Sequence, residues 1–124
     1  MTWKEEILRA LLLAFGFYEM ITNLTYLIKK DGLKLARKQH QELPKNASEK
    51  NIFIKVICML SFGALFFMVS LFAYMMHTYL SMATLISLIL FSVYAISEAV
   101  YYKYLNTMGF AAVTLILLGI DIFL

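Results

Sequence analysis

Apolar residues along this chain neither alternate nor keep to one helical face; they run on, almost without polar interruption, for long stretches. Ala10 to Ile28, Val56 to Met76, Thr78 to Ser97 and Tyr104 to Ile120 each approach or exceed the about 20 apolar residues a helix needs to cross a bilayer. The pattern predicts four membrane-spanning helices, over about 5–28, 51–76, 78–102 and 107–123. The expected fold class is therefore all-α, a four-helix transmembrane bundle in a single domain. At about 1.5 Å per residue the last run reaches only about 25 Å, so it stands nearly upright or ends within the far interface.

The first run carries one ionisable group near its middle, Glu19. A charge at that depth costs roughly 2.5 to 3.5 kcal/mol even on lenient insertion scales, so Glu19 is expected to face a partner or water. Steps of three and four give Glu5, Arg9, Leu12, Gly16, Glu19, Asn23, Tyr26 and Lys30, a stripe that gathers most of the helix's polar groups. That stripe is expected to look inward. Upstream of it, Thr2 and Glu5 have the spacing of a capping box, and Trp3 suits an interfacial belt.

After Ile28 the pattern breaks. Residues 29–51 hold seven Lys and Arg against three Asp and Glu, with Gly32 and Pro44 as breakers. With Lys55 and Lys103, nine of the eleven basic residues fall on one side, leaving Lys4 and Arg9 on the other. The positive-inside rule then predicts a multi-pass protein of the plasma (cytoplasmic) membrane, its 29–50 loop cytoplasmic and both termini outside. Within the loop, 34–41 has the makings of a short polar helix extending the first span, and Asn46 with Glu49 the makings of a cap for the second. Lys29, Lys30, Lys34, Arg37 and Lys38 either fix topology alone or grip anionic lipids or a protein partner.

Small residues mark where helices can approach closely in lipid: Gly16 in the first span, Gly63 and Ser70 in the second, Gly109 and Ala112 in the fourth. The second span also aligns Met59, Phe66 and Ala73, and its outer end joins the third through a link too short for anything but an antiparallel hairpin. In the third span Tyr94 lies a turn from a second acid, Glu98. Glu98 is five residues before Lys103, where snorkelling and a salt bridge account for it. Asn106 or Thr107 is expected to cap the fourth span, and Asp121 to be a solvated end. Phe17, Tyr18 and Glu19 echo Tyr94 to Glu98, which would make two hairpins of like sense a parallel repeat.

Composition narrows the chemistry. At 62% hydrophobic and 15% charged, the chain is too apolar for a soluble fold of its size. A single cysteine, Cys58, excludes an internal disulfide, and two histidines on different segments give no zinc site. No metal, cofactor or nucleic-acid signature is present, nor a nucleophile motif, so no enzyme is expected. The candidate coupling residues are Glu19, Asn23, Tyr26, Tyr94 and Glu98. In one reading they load a proton or cation in a small transporter or channel that works as a homo-oligomer; in the other they bond helices of an accessory, regulatory or immunity-type subunit to one another.

The run FYEMITNLTYLIKKDGL resembles the first helix of the small multidrug resistance transporters, four-helix proteins of similar length with a membrane-embedded glutamate. The resemblance implies that place for Glu19. Beyond that run the chain departs: those proteins join their first two helices by a short loop, and their third-helix glycine and tryptophan pattern is missing around Ser87 to Tyr94. The glycine and arginine signature of the small dimeric fluoride channels is missing too. No family is assigned on these grounds.

Overall fold

Each of the four apolar runs forms one long helix in the computed structural model, which describes residues 1–124. The elements are α1 (Trp3–Ile28), α2 (Gly32–Gln39), α3 (Glu49–Met75), α4 (Ser81–Tyr102) and α5 (Leu105–Phe123). All but α2 are long and apolar enough to cross a membrane. Their ends follow from capping chemistry. The Glu5 N–H donates to Thr2 Oγ1 at 3.2 Å while the Thr2 N–H donates to Glu5 Oε1 at 3.0 Å, the reciprocal capping box the sequence predicts. At α3 the cap is Ser48, which accepts from the Asn51 N–H at 3.2 Å, and not Asn46. Lys103 ends α4 in the left-handed region, at φ 50°.

The long helices associate as two pairs. In the first, α1 and α3 touch backbone to backbone where Gly16 meets Gly63: a Cβ on Gly16 would stand 2.7 Å from the Gly63 carbonyl oxygen, and one on Gly63 would stand 2.8 Å from the Met20 nitrogen. Only glycine admits that approach, which in lipid supplies the van der Waals contact that hydrophobicity cannot. The second pair is α4 with α5. Phe91 joins the pairs, its ring centroid 5.2 Å from Phe66, 5.0 Å from Phe62 and 5.5 Å from Phe110, within a cluster that also buries Leu12, Met59 and Leu88.

The buried positions of α1 are Leu8, Leu12, Gly16, Glu19 and Asn23; of the stripe expected to look inward, Leu12, Gly16, Glu19 and Asn23 do so, while Glu5, Arg9 and Tyr26 are half-buried and Lys30 is exposed. Ser70 and Ala73 of α3 are buried as well. In α5 the expectation fails: Gly109 and Ala112 are exposed, with nothing within 4 Å of a Cβ on Gly109, and the packed face carries Thr107, Ala111 and Thr114. The reason is register, since the pins at the start of α5 described below rotate Thr107 inward and carry Gly109 out.

The polar loop is a folded lid. Lys29 turns extended after α1, and α2 then starts afresh at Gly32, so the short helix is separate from the first span and does not extend it. Gly32 lies against the Tyr26 carbonyl so closely that a Cβ there would overlap it. Ala36, Leu43 and Ala47 of the lid pack on Ile52 and Val56 of α3, flanked by Tyr26 and Tyr102. Asn106 and Thr107, expected as caps, lie inside the first turn of α5, which has no side-chain cap. They instead donate to the carbonyls of Gln41 (3.1 Å from Asn106) and Glu42.

At the opposite end Arg9 Nη1 donates to the Thr78 carbonyl at 3.1 Å and stacks 3.9 Å over Tyr74. Asp121 is no solvated end: it accepts from the Tyr79 hydroxyl at 2.7 Å, and its carbonyl accepts from Lys4 Nζ at 3.1 Å. Burial, followed by that carboxylate, pushes the Tyr79 hydroxyl above its ordinary value.

Candidate functional site

Beneath the lid, polar side chains from α1, α2, α3, α4 and the loop join into one line. It starts at Glu19, whose residue is 6% exposed. Asn23, a turn on along α1, donates from Nδ2 to Glu19 Oε2 at 2.8 Å and to the Glu19 carbonyl at 2.6 Å. Two acceptors on one side fix the amide's orientation, so its Oδ1 faces His40 Nε2 at 2.8 Å and the ring donates there. His40 Nδ1 faces Glu42 Oε1 at 3.4 Å, and Lys55 Nζ lies 3.1 Å from that same oxygen. Lys55 also bonds Glu98 Oε2 at 2.8 Å, and the Tyr94 hydroxyl donates to Glu98 Oε1. A branch runs from Glu19 Oε1 to Gln39 Nε2 at 3.3 Å and on to the Tyr26 hydroxyl.

Lys55 is the centre of this network. It is 1% exposed, with Nζ 4.1 Å from the Phe110 ring centroid as well as its two carboxylates. An ammonium taken out of water at that depth is tolerable only with such partners. The effect on Glu42, outside the spans, is plain: although burial alone would raise its pKa, the His40 contact and Lys55 hold it down at about 2.

All five candidate coupling residues therefore meet in one connected set. The ion-pair partner expected for Glu98 is corrected, however. Lys103 is spent on ending α4, with its side chain exposed, and Lys55 takes its place from across the helix pair. Sequence reasoning missed four members: Gln39, His40, Glu42 and Lys55. Lys55 had a readable signal, being a lone lysine four residues inside the second span's predicted start, whereas the other three sat in a stretch whose charge looked merely topological. Of the basic loop residues, Lys29, Lys30, Lys34 and Lys38 are exposed, and Arg37 donates to the Lys45 carbonyl at 2.9 Å.

The line does not cross the molecule. Beyond Glu19 and Tyr94 the interior turns apolar, packed by Phe15, Phe62, Phe66 and Phe91 around a cavity with no charged lining. No family model, curated protein or solved structure matches this chain. The reading of the site rests on its own chemistry.

Proposed function

We propose that the chain is a multi-pass protein of the cytoplasmic membrane, a four-helix transmembrane bundle that serves as a non-enzymatic accessory, regulatory or immunity-type subunit. Its lid lies on the cytoplasmic side with both termini outside, which the nine-to-two split of basic residues supports. The observation that carries the reading is the aromatic closure beyond Glu19. A conducting path needs polar groups or water along its length, and here every charged side chain lies on the lid side of Phe66 and Phe91 or at the opposite rim, while between them the Ser87 and Thr114 hydroxyls are spent on carbonyls of their own helices. The buried line is then cement that fixes lid to helices, leaving outer surfaces for a partner.

A second reading is favoured by one specific observation. Glu19, Glu42 and Glu98 share a single lysine and a single imidazole, so the set holds room for a further proton or cation. That reading makes the protein a coupled transporter, working as an oligomer that supplies the rest of the path.

Reconstitution separates them. Purified protein in liposomes with an enclosed pH dye is expected to pass no more protons than empty vesicles between pH 5 and 9, and to co-purify from native membranes with a discrete protein partner. Proton flux abolished by Glu19→Gln, from a bare homo-oligomer, would replace the first reading with the second.

A further inference from the structure

Three hollows on the α5 side of the molecule share walls, and their chemistry grades from apolar to basic. The innermost is a cavity of about 340 Å³ between the two helix pairs, lined by nine hydrophobic residues and Thr114. The Thr114 hydroxyl is spent on the Phe110 carbonyl at 2.8 Å, so the lining offers no free polar group. Leu11 and Val113, both exposed, flank its mouth between α1 and α5. Phe110 and Val113 also belong to the second hollow, a groove along α5 that ends at Gln41, Glu42 and Asn106. Gln41 and Asn106 in turn form the rim of the third, a pocket beside the lid that holds Arg37, Lys45 and Tyr104.

The dimensions fit one leaflet. From Leu117 to Asn106 there are eleven residues of α5, about 17 Å at the helical rise, against about 15 Å for half of a roughly 30 Å hydrocarbon core. The cavity itself falls near the lower end of the roughly 300–1,000 Å³ that small-molecule sites occupy. The basic end is the lid end, where most of the chain's cationic side chains collect. Arg37 is held in place there by its bond to the Lys45 carbonyl, and the Lys45 side chain is exposed.

We propose that these hollows form one binding site for an anionic phospholipid of the lid-side leaflet, with an acyl chain in the apolar cavity and the phosphate beside Arg37 and Lys45. The site rests on the membrane placement argued above and deepens it by naming a bound molecule. A zwitterionic lipid would fit the cavity equally well and offers the same phosphate, but its own ammonium offsets that charge beside the two cations, so net charge selects the headgroup and the cavity holds the tail.

The test uses the full chain, stripped of lipid in detergent and offered phosphatidylglycerol or phosphatidylcholine with identical acyl chains, read by native mass spectrometry. Wild type is expected to keep one phosphatidylglycerol and to prefer it over phosphatidylcholine by roughly tenfold, about the effect of one or two well-placed cations. Lys45→Glu should remove most of that preference while leaving tail-dependent binding. Val113→Trp, at an exposed position where folding is not at stake, should block the mouth and reduce binding of both lipids. Equal retention of the two lipids by wild type, or undiminished phosphatidylglycerol binding by both variants, overturns the site. Loss of the protein from membranes on alkaline carbonate washing would instead overturn the membrane placement beneath it.

Discussion

Around Lys55 the interior is filled by three carboxyls, an imidazole and amides, whereas about three turns farther along α3, around Phe66, it is filled by aromatic rings and a cavity. Both regions lie between the same helices. In the membrane setting proposed above, lipid would supply no hydrophobic drive to bring helices together, so each region would rely on something else. The polar region uses directional bonds, and each group removed there leaves a partner stranded. The aromatic region uses shape, with Gly16 and Gly63 letting the backbones close, and it tolerates an unfilled volume. Specific geometry is thus concentrated at the lid, and adaptable packing is left to the middle of the span.

The contrast can be broken most severely at Lys55. Lys55→Met strands Glu42 and Glu98 and is expected to cost about 3 to 5 kcal/mol, read as a large fall in the thermal midpoint in detergent. Adding Glu98→Gln should recover much of that loss; if it does not, the ion pair is not what holds the region.

Acid is the next lever. Because Glu42 is held at about 2, the folded protein binds that proton later than the unfolded chain, whose ordinary value is 4.5. Its contribution is complete above about pH 4.5 and drains as the pH falls toward 2, for a total of about 3 kcal/mol. Hydrogen exchange across 32–48 should rise over that window before exchange in the aromatic region does.

A smaller effect sharpens the other side. Gly16→Val puts side-chain carbon against the Gly63 carbonyl and the Phe67 nitrogen, both backbone, and should cost about 1 to 3 kcal/mol by forcing α1 from α3. Exchange protection should fall first around Phe66 and leave the lid intact. Least costly is Thr2→Ala, which removes a cap remote from both regions for about 1 kcal/mol and should change neither exchange pattern beyond the first turn of α1.

How far the sequence could be read follows the same divide. Long apolar runs announce helices whatever they pack against, so all four appeared with ends displaced by three residues at most. The inward stripe through Gly16, Glu19 and Asn23 was legible because an acid and an amide in hydrocarbon can face only one way. The lid was not legible. Its residues have the composition of a solvated loop, and only tertiary contact makes Ala36, His40 and Leu43 interior. Gly109 and Ala112 misled for the opposite reason, since small residues permit close packing without requiring it. Which face of α5 turns inward is set by two hydrogen bonds to a segment 65 residues earlier, which no local pattern encodes.

Those two bonds, from Asn106 and Thr107 back to the carbonyls at 41 and 42, bear on how the chain is made. The closure over Lys55 needs groups of α5, which follow both of its carboxylate partners along the chain. Until α5 is threaded into place the lid is not pinned and the lysine has an incomplete roof, so a nascent chain halted before residue 105 keeps it near water. Arrival of α5 and sealing of the interior over Lys55 are the same event.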